Sequence, residues 1–82
     1  MKKGLQQMLN EFIDRGFTVG EMLDVLYCLN EIEEYRHIQD IYRKNEMYTE
    51  VIRIKNEEKE ALITANQFLS YYNLEYKIDE LI

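Results

Sequence analysis

The chain has 82 residues, 46% of them hydrophobic, with seven tyrosines, no tryptophan and a formal net charge of -6. A domain of this size removes only about 60% of its unfolded surface from water, so the expectation is one modest core in a single domain, 1–82. The acidic balance argues against nonspecific affinity for nucleic acid or anionic membrane, which both demand lysine and arginine. The lone Cys28, with no apolar run of signal-peptide or membrane-spanning length, points to a reducing cytoplasm.

The first predicted element is a surface helix over residues 3–15. Leu5, Met8, Leu9, Phe12 and Ile13 follow helical spacing while Gln6, Gln7, Asn10, Glu11 and Asp14 fill the other face. Gly16 stands where a helix end calls for positive φ, which a residue without a Cβ adopts cheaply. Thr18 and Glu21 then form a capping box, with Phe17 and Met22 as the hydrophobic staple across it.

A second helix is expected at 19–29, apolar over most of its circumference through Val19, Met22, Leu23, Val25, Leu26, Tyr27 and Leu29. Asn30 with Glu33 repeats the capping logic, and Glu31, Glu33 and Glu34 suit the positive end of a new helix dipole, so a third helix is placed at 31–43. Tyr35, Ile38, Ile41 and Tyr42 form its buried stripe. Glu33–His37, Arg36–Asp40 and Asp40–Lys44 form ion pairs on its outer side.

Residues 47–54, MYTEVIRI, are rich in β-branched and aromatic side chains and suggest a strand, although Met47, Val51 and Ile54 also fit a helix. Asn56 caps a fourth helix at 57–73, with Glu57 and Glu58 in its first turn and Ala61, Leu62, Ala65, Phe68, Leu69 and Tyr72 on its core face. The tail LEYKI, 74–78, alternates apolar and polar residues. The expected fold is mainly α, a compact bundle of about four helices, with room for a small two-stranded sheet from 47–54 and 74–78.

Little in this pattern carries chemistry. RGFTVGE, residues 15–21, invites comparison with a DNA-reading helix-turn-helix, yet the helix that follows presents Glu21 and Asp24 and no base. Aligning Gly16 with the turn glycine of the phage-repressor type puts Phe12 where a small residue is usual, and Glu11 and Arg15 where buried apolar ones are. Arg36, His37, Gln39, Arg43 and Lys44 share one side of the third predicted helix, but Glu33 and Asp40 at pairing distance make it a solvated face. Glu34 and His37 have the Glu-x-x-His spacing of a di-iron helix, and the chain has no second histidine to complete such a site. Cys28 lies beside Glu21 and Asp24, whose charges raise a thiol pKa and disfavour a nucleophilic role. Ser70 is the only serine and the glycines are too few for a phosphate loop, so no cofactor, no metal and no enzymatic activity are expected.

What remains is surface. Ile63, Ser70 and Leu74 at i, i+7 and i+11, with Gln67 and Tyr71 alongside, form a second strip on the last helix, and the aromatic cluster Tyr71, Tyr72 and Tyr76 continues it. The leading expectation is a small acidic regulatory or adaptor protein that binds another protein through this strip, as a homodimer. The alternative is an acidic decoy, in which Glu31, Glu33, Glu34, Glu57, Glu58 and Glu60 occupy the basic groove of a nucleic-acid-binding protein. In size and charge the chain is similar to small phage-encoded inhibitors of host or defence nucleases, a likeness of composition alone.

Overall fold

A computed structural model describes residues 2–82. The chain forms α1 (Lys3–Asp14), α2 (Val19–Lys44), α3 (Tyr48–Tyr71) and a single turn, α4 (Ile78–Leu81). With 26 and 24 residues, α2 and α3 are roughly 39 and 36 Å long, and they pair as an antiparallel hairpin that sets the long axis of a 46 × 22 × 19 Å molecule.

The seam of that hairpin is a heptad pattern. Met22, Val25, Leu29, Ile32, Arg36, Gln39 and Arg43 recur at alternating steps of three and four along α2, and Val51, Ile54, Glu58, Ala61, Ala65, Phe68 and Tyr72 do the same along α3. Such spacing keeps one stripe of each helix turned to its neighbour. At the end where α2 begins and α3 finishes, here called the base, a third layer covers the hairpin. Met8 and Phe12 of α1, Val25, Leu29 and Ile32 of α2, Ala61, Ala65 and Leu69 of α3, and Leu74, Ile78 and Leu81 of the tail form one buried core. Val51 and Ile54 are also buried but stand outside that core, so the far end, the tip, is held by two helices alone.

Three helix ends reverse the chain in the same way. The N–H of Phe17 donates to the Phe12 carbonyl at 3.0 Å, that of Met47 to Tyr42 at 2.9 Å, and that of Leu74 to Leu69 at 2.8 Å. The residue before each donor has positive φ: Gly16 at 73°, Glu46 at 56° and Asn73 at 54°. These are Schellman ends, in which a left-handed residue turns the backbone so that the last carbonyls find donors. The expected Thr18 capping box also forms, with the Glu21 N–H donating to Thr18 Oγ1 at 3.2 Å and the Thr18 N–H donating to Glu21 Oε1 at 2.9 Å.

Several expectations fail here. Among the described residues there is no strand: 47–54 lies at the start of α3, and 74–78 is an extended tail entering α4. Val51 and Ile54 continue the seam that Ala61 and Ala65 also follow, and that packing overrides the β preference of MYTEVIRI. Asn30 and Asn56 cap nothing, because 19–29 and 31–43 are one helix and 57–73 begins at Tyr48. Asn30 instead donates from Nδ2 to Glu34 Oε1 at 3.2 Å along the helix surface. The predicted stripe of the third helix is also out of phase. The seam selects Ile32 and Gln39, leaving Tyr35, Ile38 and Tyr42 half-buried and Ile41 exposed. Arg36 reaches across to α3 rather than along its own helix to Asp40.

The tail is tied down at both ends. Arg15 Nη2 donates to the Tyr72 carbonyl at 2.7 Å, satisfying an end of α3, and its guanidinium lies 4.7 Å from the centroid of the Phe17 ring. Gly4 sits directly against the carbonyl oxygen of Glu80, and a Cβ there would fall onto that atom.

Candidate functional site

Nearer the tip than the base, the seam turns polar. Gln39, only 3% exposed, donates from Nε2 to Glu58 Oε1 at 2.7 Å, and Arg36 donates from Nε to Glu58 Oε2 at 2.8 Å. Arg43 Nη2 donates back to Gln39 Oε1 at 3.3 Å, and Arg36 Nη2 lies 3.5 Å from Asp79 Oδ1. Burial alone would push the Glu58 carboxyl pKa up. The hydrogen bonds from Arg36 and Gln39, with the charges of Arg36 and Lys55, hold it below the ordinary value instead. A satisfied polar layer in a heptad seam fixes register, and this is a structural role for Glu58, one of the predicted decoy acids.

The surface of the hairpin offers more. On α2, Glu21, Asp24, Cys28, Glu31 and Tyr35 follow one another at steps of three, four, three and four, a single stripe beside the seam. Three titratable groups on or against it have pKa values raised by burial and by its carboxylates. The Tyr72 hydroxyl of α3 donates to Asp24 Oδ2 at 2.8 Å, and that bond, with burial and the charges of Asp24 and Glu21, pushes its pKa up to about 12. Cys28 is raised by burial first and then by Glu31 and Asp24. Tyr35 is raised by its 3.0 Å hydrogen bond to Glu31, then by burial and by the charges of Glu31, Glu57 and Glu34. The thiol therefore moves in the direction its neighbours implied, although burial leads and Glu31, not Glu21, is the stronger carboxylate.

On α3, Thr64, Gln67, Phe68 and Tyr71 line a shallow, mainly apolar groove of ≈ 320 Å³. Phe68 stacks on Tyr72 with ring centroids 6.3 Å apart, while Tyr71 stands 78% exposed at the rim. Ile63, 52% exposed, continues the surface past Asn66, Gln67 and Ser70. Of the predicted binding strip, Ile63, Gln67, Ser70 and Tyr71 thus share one exposed surface. Tyr72 and Leu74 do not belong to it: both are in the core, because the left-handed Asn73 ends the helix and folds Leu74 inward. Tyr76 is half-buried and donates its hydroxyl to Glu11 Oε2 at 2.9 Å.

The predicted decoy acids divide similarly. Glu33, Glu57 and Glu60 are exposed, Glu31 accepts from Tyr35 and Glu34 from Asn30, and Glu58 is consumed in the seam. None of the six occupies a helix start, so capping does not account for them. Glu34 and His37 border a shallow depression with Asn30, Glu33 and Ile38. Among the described residues, no three histidine, cysteine, aspartate or glutamate side chains are grouped as metal ligands would be.

Fold and surface together define a helical hairpin buttressed at one end, with an acidic and aromatic face beside an apolar groove. No protein-family model, curated protein or solved structure matches the chain. No described helix is long and apolar enough to cross a membrane.

Proposed function

We propose that this is a small, acidic, non-catalytic regulatory or adaptor protein of the cytoplasm that acts by binding another protein, and that it works as a homodimer. The observation that carries this reading is the groove at Phe68 with Tyr71 exposed on its rim and Asp24, Glu31 and Glu57 on the neighbouring face. Carboxylates around exposed rings suit arginine, which stacks on an aromatic face while its fork meets a carboxylate. The partner surface is therefore basic with apolar residues interspersed. Affinity capture from the source cell tests this, comparing the unaltered chain with Tyr71→Ala. Loss of one specific protein on substitution supports the reading, and identical capture by both chains sinks it.

A second reading is favoured by the position of Glu31, Glu33, Glu57 and Glu60 away from helix starts. A face of carboxylates with no capping duty is what an acidic mimic of nucleic acid presents to a basic groove. Salt separates the two. A decoy held by carboxylates alone loses affinity steeply as ionic strength rises, whereas docking led by Tyr71 and Phe68 loses only the share owed to its carboxylate rim and keeps the apolar share.

A further inference from the structure

The side of α3 turned away from α2 carries a second periodic stripe. Ile52, Asn56, Lys59, Ile63, Asn66 and Ser70 recur at steps of four, three, four, three and four, and Tyr48 lies one turn before them. Tyr48 is 62% and Ile52 64% exposed, so with Ile63 this stripe leaves three large apolar side chains uncovered along one helix. The charge of the hairpin is polarised along the same axis. Residues 41–55 at the tip carry four bases and two acids, while residues 11–31 and 66–77 at the base carry six acids and two bases.

We infer that a second copy of this chain covers the stripe, with the two α3 helices antiparallel about a two-fold axis near residues 57 and 58. That arrangement lays Ile52 on the partner's Ile63, and symmetry repeats the contact. Arg53 holds Glu50 of its own helix through Nε and Nη2, and its Nη1 is in neither bond; with Glu60 seven positions on, along the flank nearer Tyr71, the arrangement brings that guanidinium to the partner's Glu60, again twice. The basic tip of each copy lies along the acidic base of the other, whereas a parallel pair sets like charges together. Because the same patch serves both copies, the contact closes at two and does not propagate. The inference rests on reading α3 as an interaction helix and names its occupant.

Sedimentation equilibrium of the full chain tests it, with circular dichroism to confirm that each variant keeps its helix. The unaltered chain should sediment at twice its 10.0 kDa. Ile63→Glu should make it monomeric. Arg53→Glu and Glu60→Arg should each weaken association by about tenfold, and the two together should restore it. In a Cys28→Ser background, a mixture of Ile52→Cys and Ile63→Cys chains should cross-link to each other. A monomeric unaltered chain, a double variant no stronger than the single ones, or cross-linking of Ile52→Cys chains among themselves overturns the dimer. A monomer that loses its captured protein on Tyr71→Ala overturns the dimer and leaves the docking reading standing. A dimer whose capture ignores Tyr71→Ala does the reverse.

Discussion

Gln39 and Glu58 meet across the α2–α3 seam through a 2.7 Å hydrogen bond, and each also holds an arginine, Gln39 accepting from Arg43 and Glu58 from Arg36. Glu58 has only 12% of its side chain exposed and Gln39 is buried, so a broken network leaves the Gln39 amide as a donor that water reaches poorly. Glu58→Ala is expected to lower stability by about 2 kcal/mol, the scale of hydrogen bonds to a charged group, as measured by urea denaturation.

The same carboxylate sets an acid limit. Its pKa is lower folded than unfolded, so the unfolded state binds the proton more readily. Its contribution is present above the unfolded carboxyl value and is lost as pH falls through the folded one. Stability measured downward from neutral pH should therefore fall through the carboxylate range, and Glu58→Gln, which cannot titrate, should flatten that part of the curve.

Tyr72 sets the corresponding alkaline limit. Its pKa of about 12 exceeds the ordinary 10.0, so its folded-state advantage is complete below pH 10 and disappears as pH rises toward 12. Tyr35 and Tyr76 are also raised, so ultraviolet titration of tyrosinate should show several late-ionising groups, one fewer in Tyr72→Phe. The phenylalanine variant should also lose stability less steeply over the same interval.

Glu46 adopts φ of 56° at the tip, a conformation that costs an ordinary side chain about 1 kcal/mol or more and glycine almost nothing. Its side chain is exposed and makes none of the hydrogen bonds or ion pairs found in the loop. Glu46→Gly should raise stability by about 0.5 kcal/mol, after subtracting the greater freedom of the unfolded glycine chain, and the urea midpoint should rise with an unchanged slope.

At Gly4 the limit is space, not conformation. A methyl group there meets the Glu80 carbonyl, which belongs to backbone and cannot rotate away. Gly4→Ala should destabilise the chain by about 1–3 kcal/mol, and amide exchange should quicken first at residues 78–82, where α4 separates from α1.

How far the sequence disclosed this fold depended on which signals were local. Gly16, Thr18 and Glu21 announced the α1–α2 corner, because glycine at positive φ and a capping box are fixed by neighbours in sequence. The α2–α3 corner lacked such a marker, since its left-handed residue is Glu46, a type that rarely takes that role. Asn30 and Asn56 imitated caps because asparagine serves equally as a surface partner within a helix, as the Asn30–Glu34 bond shows. The exposed Ile63 and Tyr71 were visible from helical spacing. The Glu21–Asp24–Cys28–Glu31–Tyr35 stripe was not, because it crosses the point where two short helices were expected in place of one. Extending the helical period past Asn73 places Leu74 on the surface, but the helix has already ended there.

The polar layer also divides the molecule's cooperativity. On its base side, one core is assembled from α1, α2, α3 and the tail, so opening one segment exposes apolar surface on the others. On its tip side, Val51 and Ile54, both of α3, are buried outside that core and pack in a layer of two helices alone, so opening that end leaves Phe12 and Leu69 covered. The hairpin is thus graded, with a root packed in three layers and an arm of two helices that should open at lower cost. Whatever grips the tip meets a surface able to adjust, while the root keeps its shape.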